Sequence, residues 1–148
     1  MNNKIPPPIV TLISGLTIYF SRNLFPNHNS LFLDVFSILF LICGIIIIRT
    51  AFLSFKNYQT TINPLNLSKT STLVNTGIFK YTRNPMYLGM ALLLLSITLK
   101  FNLYGGLIVI VLFISFITKF QIIPEEKAME KLFGQEFKNY KKTTRRWL

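Results

Sequence analysis

Between Phe101 and Thr118 the chain carries no charged residue. Between Leu31 and Leu53 it carries two, Asp34 and Arg49, near the ends of the run. A helix needs about 20 mostly apolar residues to cross the hydrocarbon core of a bilayer. Both runs therefore read as membrane-spanning helices, and a chain built around them is not a small water-soluble domain. Composition agrees. Of 148 residues, 51% are hydrophobic and 14% charged, against about 25% charged in a typical soluble domain. Ile9 to about Phe25 is a third span, with Arg22 at its outer end. Pro85 to Lys100 is a fourth, short but lengthened by Lys100, which can snorkel outward along its alkyl stem. The expected fold class is all-α: an integral membrane helical bundle with about four transmembrane helices (9–25, 31–53, 85–100 and 103–123) in a single domain. Pro6-Pro7-Pro8 and the lack of a small-x-small cleavage motif set the first run apart from a signal peptide.

Charge then orients the bundle. There are 16 Lys and Arg residues against five Asp and Glu, a net charge of +11. With four spans, 14 of the 16 fall on the side shared by the N-terminus, the 54–84 loop and the tail. Only Arg22 and Lys100 fall on the other. Basic residues stay on the cytoplasmic side of membrane proteins, so a multi-pass protein with both termini cytoplasmic is expected, in the plasma (inner) membrane if bacterial. This topology explains the basic balance without nucleic acid, for which no recognised module is present. Some tail charge faces anionic headgroups, which makes membrane lipids a partner. One histidine, His28 in an outer turn, and one cysteine, Cys43 within a span, rule out a His/Cys metal cluster and a His-based triad.

Two short outer turns (about 26–30 and 100–105) and one long inner loop join the spans. The turn at Gly105-Gly106 makes the last two helices an antiparallel hairpin. The inner loop is polar in its first half; its second half, TLVNTGIFKY, is apolar enough to fold against something. After Ile123-Pro124, where a break or kink is expected because the residue before proline disfavours the α region, a C-terminal amphipathic cytoplasmic helix spans 124–142. Its stripe is Met129, Leu132, Phe133, Phe137 and Tyr140, and its basic face suits the leaflet surface.

The hairpin brings GIFKYTRNPMY, at the start of the third span, beside QIIPEEKAMEKLFG, at the end of the fourth. Each residue also has a purely structural account. Asn84 is a good N-cap and Pro85 suits the first helical position. Gly89 admits a neighbouring helix, and Glu125 and Glu126 suit a helix start. Together, however, an acidic pair, an arginine, aromatic residues and a helix N-terminus meet at the membrane boundary, where charged residues mark functional sites. Such a set suits a ligand with a cationic part, hydroxyls or amines, and an aromatic ring.

These two segments resemble the signature of the membrane methyltransferases that include isoprenylcysteine carboxyl methyltransferases and phospholipid N-methyltransferases. The first block reads Gly77-Ile78-Phe79, then Arg83-Asn84-Pro85-Met86-Tyr87-Leu88-Gly89. The second runs from Glu125-Glu126 through Leu132-Phe133-Gly134-Gln135-Glu136-Phe137 to Tyr140. The ending Arg145-Arg146-Trp147 resembles small bacterial members. The resemblance implies S-adenosyl-L-methionine held at the cytoplasmic ends of the last two spans. By position, Ser71, Thr72, Leu73 and Val74 would contact the cofactor. Phe79 would stand for a family tyrosine. Asn84, Pro85, Met86 and Tyr87 would line the pocket, and Glu125 would accept cofactor hydrogen bonds. Arg83, Tyr87 and Glu126 are the candidate catalytic residues, with Arg83 and Arg146 closing the site. Asn84 stands where the family commonly has histidine, which removes a titratable group. The implied acceptor is lipophilic, an isoprenylcysteine-like carboxylate or a lipid. The rival reading is a non-catalytic membrane scaffold or subunit with a basic amphipathic tail.

Overall fold

The computed structural model describes residues 5–26, 30–58 and 72–148. Ser71 and His28 lie outside the described residues, as does most of the first half of the inner loop. Every regular element among the described residues is helical. Helix α1 is Pro7–Phe20, α2 Leu31–Asn57, α3 Pro85–Phe101, α4 Leu103–Ile117 and α5 Ile123–Thr143. By length and apolarity, α2 and the helical run that begins at Leu103 can cross a membrane, while α3 is a shorter apolar helix.

Side-chain burial in α2 is the reverse of a soluble helix. The buried residues are small: Ser37, Gly44 and Ala51. Most of its leucines, isoleucines and phenylalanines point outward, among them Phe32, Ile38, Ile45 and Phe52. The three small residues are seven apart and form one seam, which packs on α3. Without a hydrophobic drive between helices in lipid, close approach through small residues is what holds such pairs together. At the crossing, an added Cβ on Gly89 would lie 2.5 Å from Ile48 Cγ1 and 2.9 Å from the Gly44 carbonyl oxygen. One on Gly44 would lie 2.9 Å from the carbonyl oxygen of Gly89. The two backbones touch. Lower in the same seam, the Ser37 hydroxyl donates to the Ser96 carbonyl at 3.0 Å.

At the opposite end from the candidate site, Asn102 makes the turn between α3 and α4, not Gly105-Gly106. Asn102 is buried. Its Oδ1 accepts from the Gly105 N–H at 3.0 Å, capping α4, and its Nδ2 donates to Ser21 Oγ at 3.0 Å, tying in the end of α1. The two glycines lie inside α4, where they make room: a Cβ on Gly106 would meet Thr98 Oγ1 at 2.3 Å. The Asp34–Lys100 ion pair, 3.0 Å, closes α2 on α3 at the same end.

Three expected boundaries move. Helix α1 ends at Phe20 and the chain continues as a 3₁₀ turn, Ser21–Leu24. Helix α2 runs on to Asn57, four residues past the apolar run. The Ile123-Pro124 break is absent. Instead the chain passes through a π-helical segment, Thr118–Ile122, straight into α5, with Pro124 in its first turn.

The single amphipathic helix expected over 124–142 is also corrected. Gly134 has φ 49° and ψ −117°, far from helical. A straight helix would put Glu126 and Lys141 about 22 Å apart at 1.5 Å per residue, yet one guanidinium, that of Arg83, reaches both. The chain therefore folds back at Gly134. The apolar stripe turns inward with it. Phe137 and Tyr140 are buried in a cluster with Ala51, Leu73, Val74 and Phe79, with Met86, Met129 and Phe133 packed against it. A separate core inside the bundle is formed by Ile18, Leu94, Phe113, Ile117 and their neighbours.

Candidate active site

The site sits where α3 begins and α5 begins. Pro85 occupies the first position of α3, buried, and Asn84 precedes it as expected. Asn84 does not cap the helix with its side chain. Its Nδ2 donates instead to the Arg146 carbonyl at 2.9 Å. Within the first turn of α3, the Tyr87 hydroxyl donates to Glu125 Oε1 at 2.6 Å. This contact fixes the antiparallel pairing of α3 with the α4–α5 run.

Glu125 and Glu126 are adjacent in sequence and differ completely in surroundings. Glu126 is saturated. Arg83 Nη2 donates to its Oε1 at 2.7 Å, and Arg146 reaches Oε2 at 2.7 Å and Oε1 at 3.1 Å. Burial alone would raise the Glu126 carboxyl, but the hydrogen bonds and charges of Arg146 and Arg83 outweigh it and hold it below the usual range. Among the described residues no cation pairs with Glu125. Burial pushes its carboxyl up to about 7, with help from the Glu126 charge and against the Tyr87 hydrogen bond, which pulls it down. Among the described residues Tyr87 is the sole hydrogen-bond partner of Glu125, through Oε1, and Oε2 has none.

Arg83 anchors the tail as well as Glu126. Its Nη1 donates to the carbonyls of Thr144 and, at 3.4 Å, Lys141. Its backbone N–H donates to the Arg145 carbonyl at 3.0 Å. Thr82 Oγ1 donates to the Arg146 carbonyl at 3.3 Å, and the Tyr140 hydroxyl to the Phe79 carbonyl at 2.6 Å. Trp147 Nε1 completes the strap by donating to Thr118 Oγ1 at 3.2 Å.

The expected residues thus fall into three groups. Tyr87 and Glu125 form the open acidic corner. Arg83, Glu126 and Arg146 form a closed ion cluster that Asn84 joins through the Arg146 carbonyl. Leu73, Val74, Phe79 and Met86 form an apolar wall with Phe137 and Tyr140. Thr72 is exposed at the start of that wall segment. Thr82 and Tyr140 were not singled out as site residues. Tyr140 closes the second sequence block, so the signal was there; Thr82 carries none, because its role depends on where the tail returns.

Large apolar side chains facing outward and small ones facing inward mark a membrane protein, with a partly buried carboxyl at one end of the bundle. A family model described as phospholipid methyltransferase matches residues 33–136. The chain belongs to that family, and membership implies a methyltransferase. The match takes in Tyr87, Glu125 and Glu126 and stops short of the strap residues Arg145-Arg146-Trp147. The chain is also 41% identical over 63 residues to an uncharacterized protein of Haemophilus influenzae, covering 43% of this chain and all of that one. No solved structure matches.

Proposed function

We propose that this protein transfers a methyl group from S-adenosylmethionine to a lipophilic acceptor, a lipid or an isoprenylcysteine-like carboxylate, at the cytoplasmic membrane face. One observation carries the reading: Glu125 is a partly buried carboxyl held by one tyrosine through Oε1, with no partner for Oε2 among the described residues, beside a Glu126 that two arginines already occupy. A carboxyl raised by burial with no cation at hand is poised for a positively charged ligand rich in donors. S-adenosylmethionine fits that donor set through its ammonium, its sulfonium and its ribose hydroxyls.

In this arrangement the Glu125 carboxylate accepts hydrogen bonds from the cofactor and balances its charge. Tyr87 fixes the direction of that carboxylate. The wall of Leu73, Val74, Phe79 and Met86 keeps water from the site. Arg83, Glu126 and Arg146 act by pinning the strap that closes it. When bound, the cofactor supplies an electrophilic methyl group for in-line displacement, a reaction governed by alignment and water exclusion. With four spans, the basic-residue distribution supports placing the site and both chain ends on the cytoplasmic side. Ile5 and Trp147 meeting the same π-helical segment supports that placement.

The test is calorimetry of S-adenosylhomocysteine with detergent-purified wild type and Glu125→Gln. Binding by wild type that Glu125→Gln loses is expected. A folded wild type that binds nothing would remove the methyltransferase reading and leave a scaffold.

A further inference from the structure

The run from α4 to α5 must cross a boundary and still aim one chosen side chain. It does so through the π-helical segment, in which the Ile123 N–H bonds the Thr118 carbonyl five residues back. A π turn takes in one residue more than an α turn. Successive α-helical residues point about 100° apart. Every side chain beyond the segment is therefore turned by about that angle from where an unbroken α-helix would place it. In an unbroken helix Pro124 would occupy the place of Glu125 opposite Tyr87. Glu125 would occupy the place of Glu126, between Arg83 and Arg146. The register thus decides which glutamate is open and which is saturated.

Three groups hold the register. Gln121 is buried, and its Nε2 donates to the Ile5 carbonyl at 2.9 Å. Thr118 Oγ1 accepts from Trp147. Pro124 lacks an N–H, and in an α-helix its ring would press on the carbonyl four residues back, a conflict that a wider turn relieves. Such π turns recur at functional sites.

We infer that Gln121 is a positioning residue for this site: it stabilises the π register, and that register turns Glu125 towards Tyr87. The functional weight of this inference rests on the proposed cofactor role of Glu125, but the geometry can be tested without it.

Two variants and one combination decide the matter. Deleting the exposed Lys119 shortens the π turn to an α turn and leaves the downstream residues in place. Gln121→Leu removes the anchor. Infrared titration of the Glu125 carboxyl, assigned by its absence in Glu125→Gln, reads the register without any ligand. S-adenosylhomocysteine binding reads the site. The Lys119 deletion is expected to titrate within about half a pH unit of wild type and bind within about threefold. Gln121→Leu is expected to bind at least about tenfold more weakly, with its titration moved down as Glu125 turns towards Arg83 and Arg146. Adding the deletion to Gln121→Leu should restore both readouts. The inference is overturned if the deletion loses the Glu125 titration or fails to fold. It is equally overturned if Gln121→Leu changes nothing, or if the combination rescues nothing. If wild type titrates as described but binds no S-adenosylhomocysteine, the cofactor reading fails while the infrared result still decides the register.

Discussion

Gly134 carries the fold-back of α5 on backbone conformation alone, which makes Gly134→Ala an informative substitution. At φ 49° and ψ −117° an L side chain is strained. No heavy atom lies within 4 Å of the Cβ that alanine would add, so steric contact contributes nothing to the cost. Holding a non-glycine residue in such a region costs about 1–3 kcal/mol. Alanine also favours the competing straight helix by about 1 kcal/mol over glycine. The folded-back state should therefore lose roughly 2–4 kcal/mol. Trp147 is the single tryptophan and sits on Thr118, so its fluorescence reports whether the strap is docked. Denaturant unfolding followed at Trp147 should show Gly134→Ala releasing the strap well before wild type. Lys131→Ala, an exposed change in the same helix, should shift it by less than about 0.5 kcal/mol. A Gly134→Ala protein with wild-type emission and an unshifted transition would refute the fold-back argument.

Cofactor binding should depend on pH through Glu125. Its carboxyl is raised to about 7, so the proton must leave before a cationic ligand binds well. Affinity should rise with pH and level off above about 8, with a loss of roughly ten- to thirtyfold at pH 5.5; calorimetry should find Glu125→Gln weak and flat across that range. The two glutamates also act oppositely on stability. A raised Glu125 contributes stability at acid pH that is lost as pH rises through about 7. A depressed Glu126 contributes stability above the ordinary carboxyl range that is lost as pH falls, so Glu126→Gln should flatten the acid side of a stability–pH curve. Gly89→Ala pushes a methyl against Ile48 and the Gly44 carbonyl and should cost about 1–3 kcal/mol in detergent unfolding; a neutral result would mean α2 and α3 are not in backbone contact. Asn102→Ala removes a cap and a buried bridge to Ser21 and should cost about 2 kcal/mol by the same assay.

The helices were legible because lipid leaves a direct mark: uncharged runs such as 101–118 have few other uses. The meeting of the segments that hold Tyr87 and Glu125 was legible because a short turn between two helices forces their far ends together, while the hydrogen bond between those two side chains was not. What stayed hidden depends on backbone choices that composition does not record. The apolar stripe from Met129 to Tyr140 keeps helical spacing through Gly134, and nothing in that spacing says the backbone reverses there. Pro124 signalled a break, but the π turn absorbed it. Gly105-Gly106 looked like a turn, whereas the glycines clear space for Thr98 and Phe25 while Asn102 makes the corner. The two glutamates looked alike, because their difference comes from where Arg146 returns.

The Gly44–Gly89 contact has a mechanical consequence. Two helices in backbone contact at one crossing cannot slide there, and any scissoring about it is resisted by the Ser37–Ser96 hydrogen bond farther along the seam. Gly44 lies at the middle of α2, thirteen residues from Leu31 and thirteen from Asn57. Gly89 lies only four residues from Pro85 but twelve from Phe101. On α3 the arm on the candidate-site side is therefore about 6 Å and the opposite arm about 18 Å. If the Asp34–Lys100 pair opens by 3 Å, a rigid α3 would move Pro85 by only about 1 Å. Spin labels paired across each end of the two helices would detect that threefold reduction, and equal displacements at both ends would show that the glycine contact is no fulcrum. On these arm lengths a displacement at the Asp34–Lys100 end would reach the end that holds Tyr87 reduced about threefold.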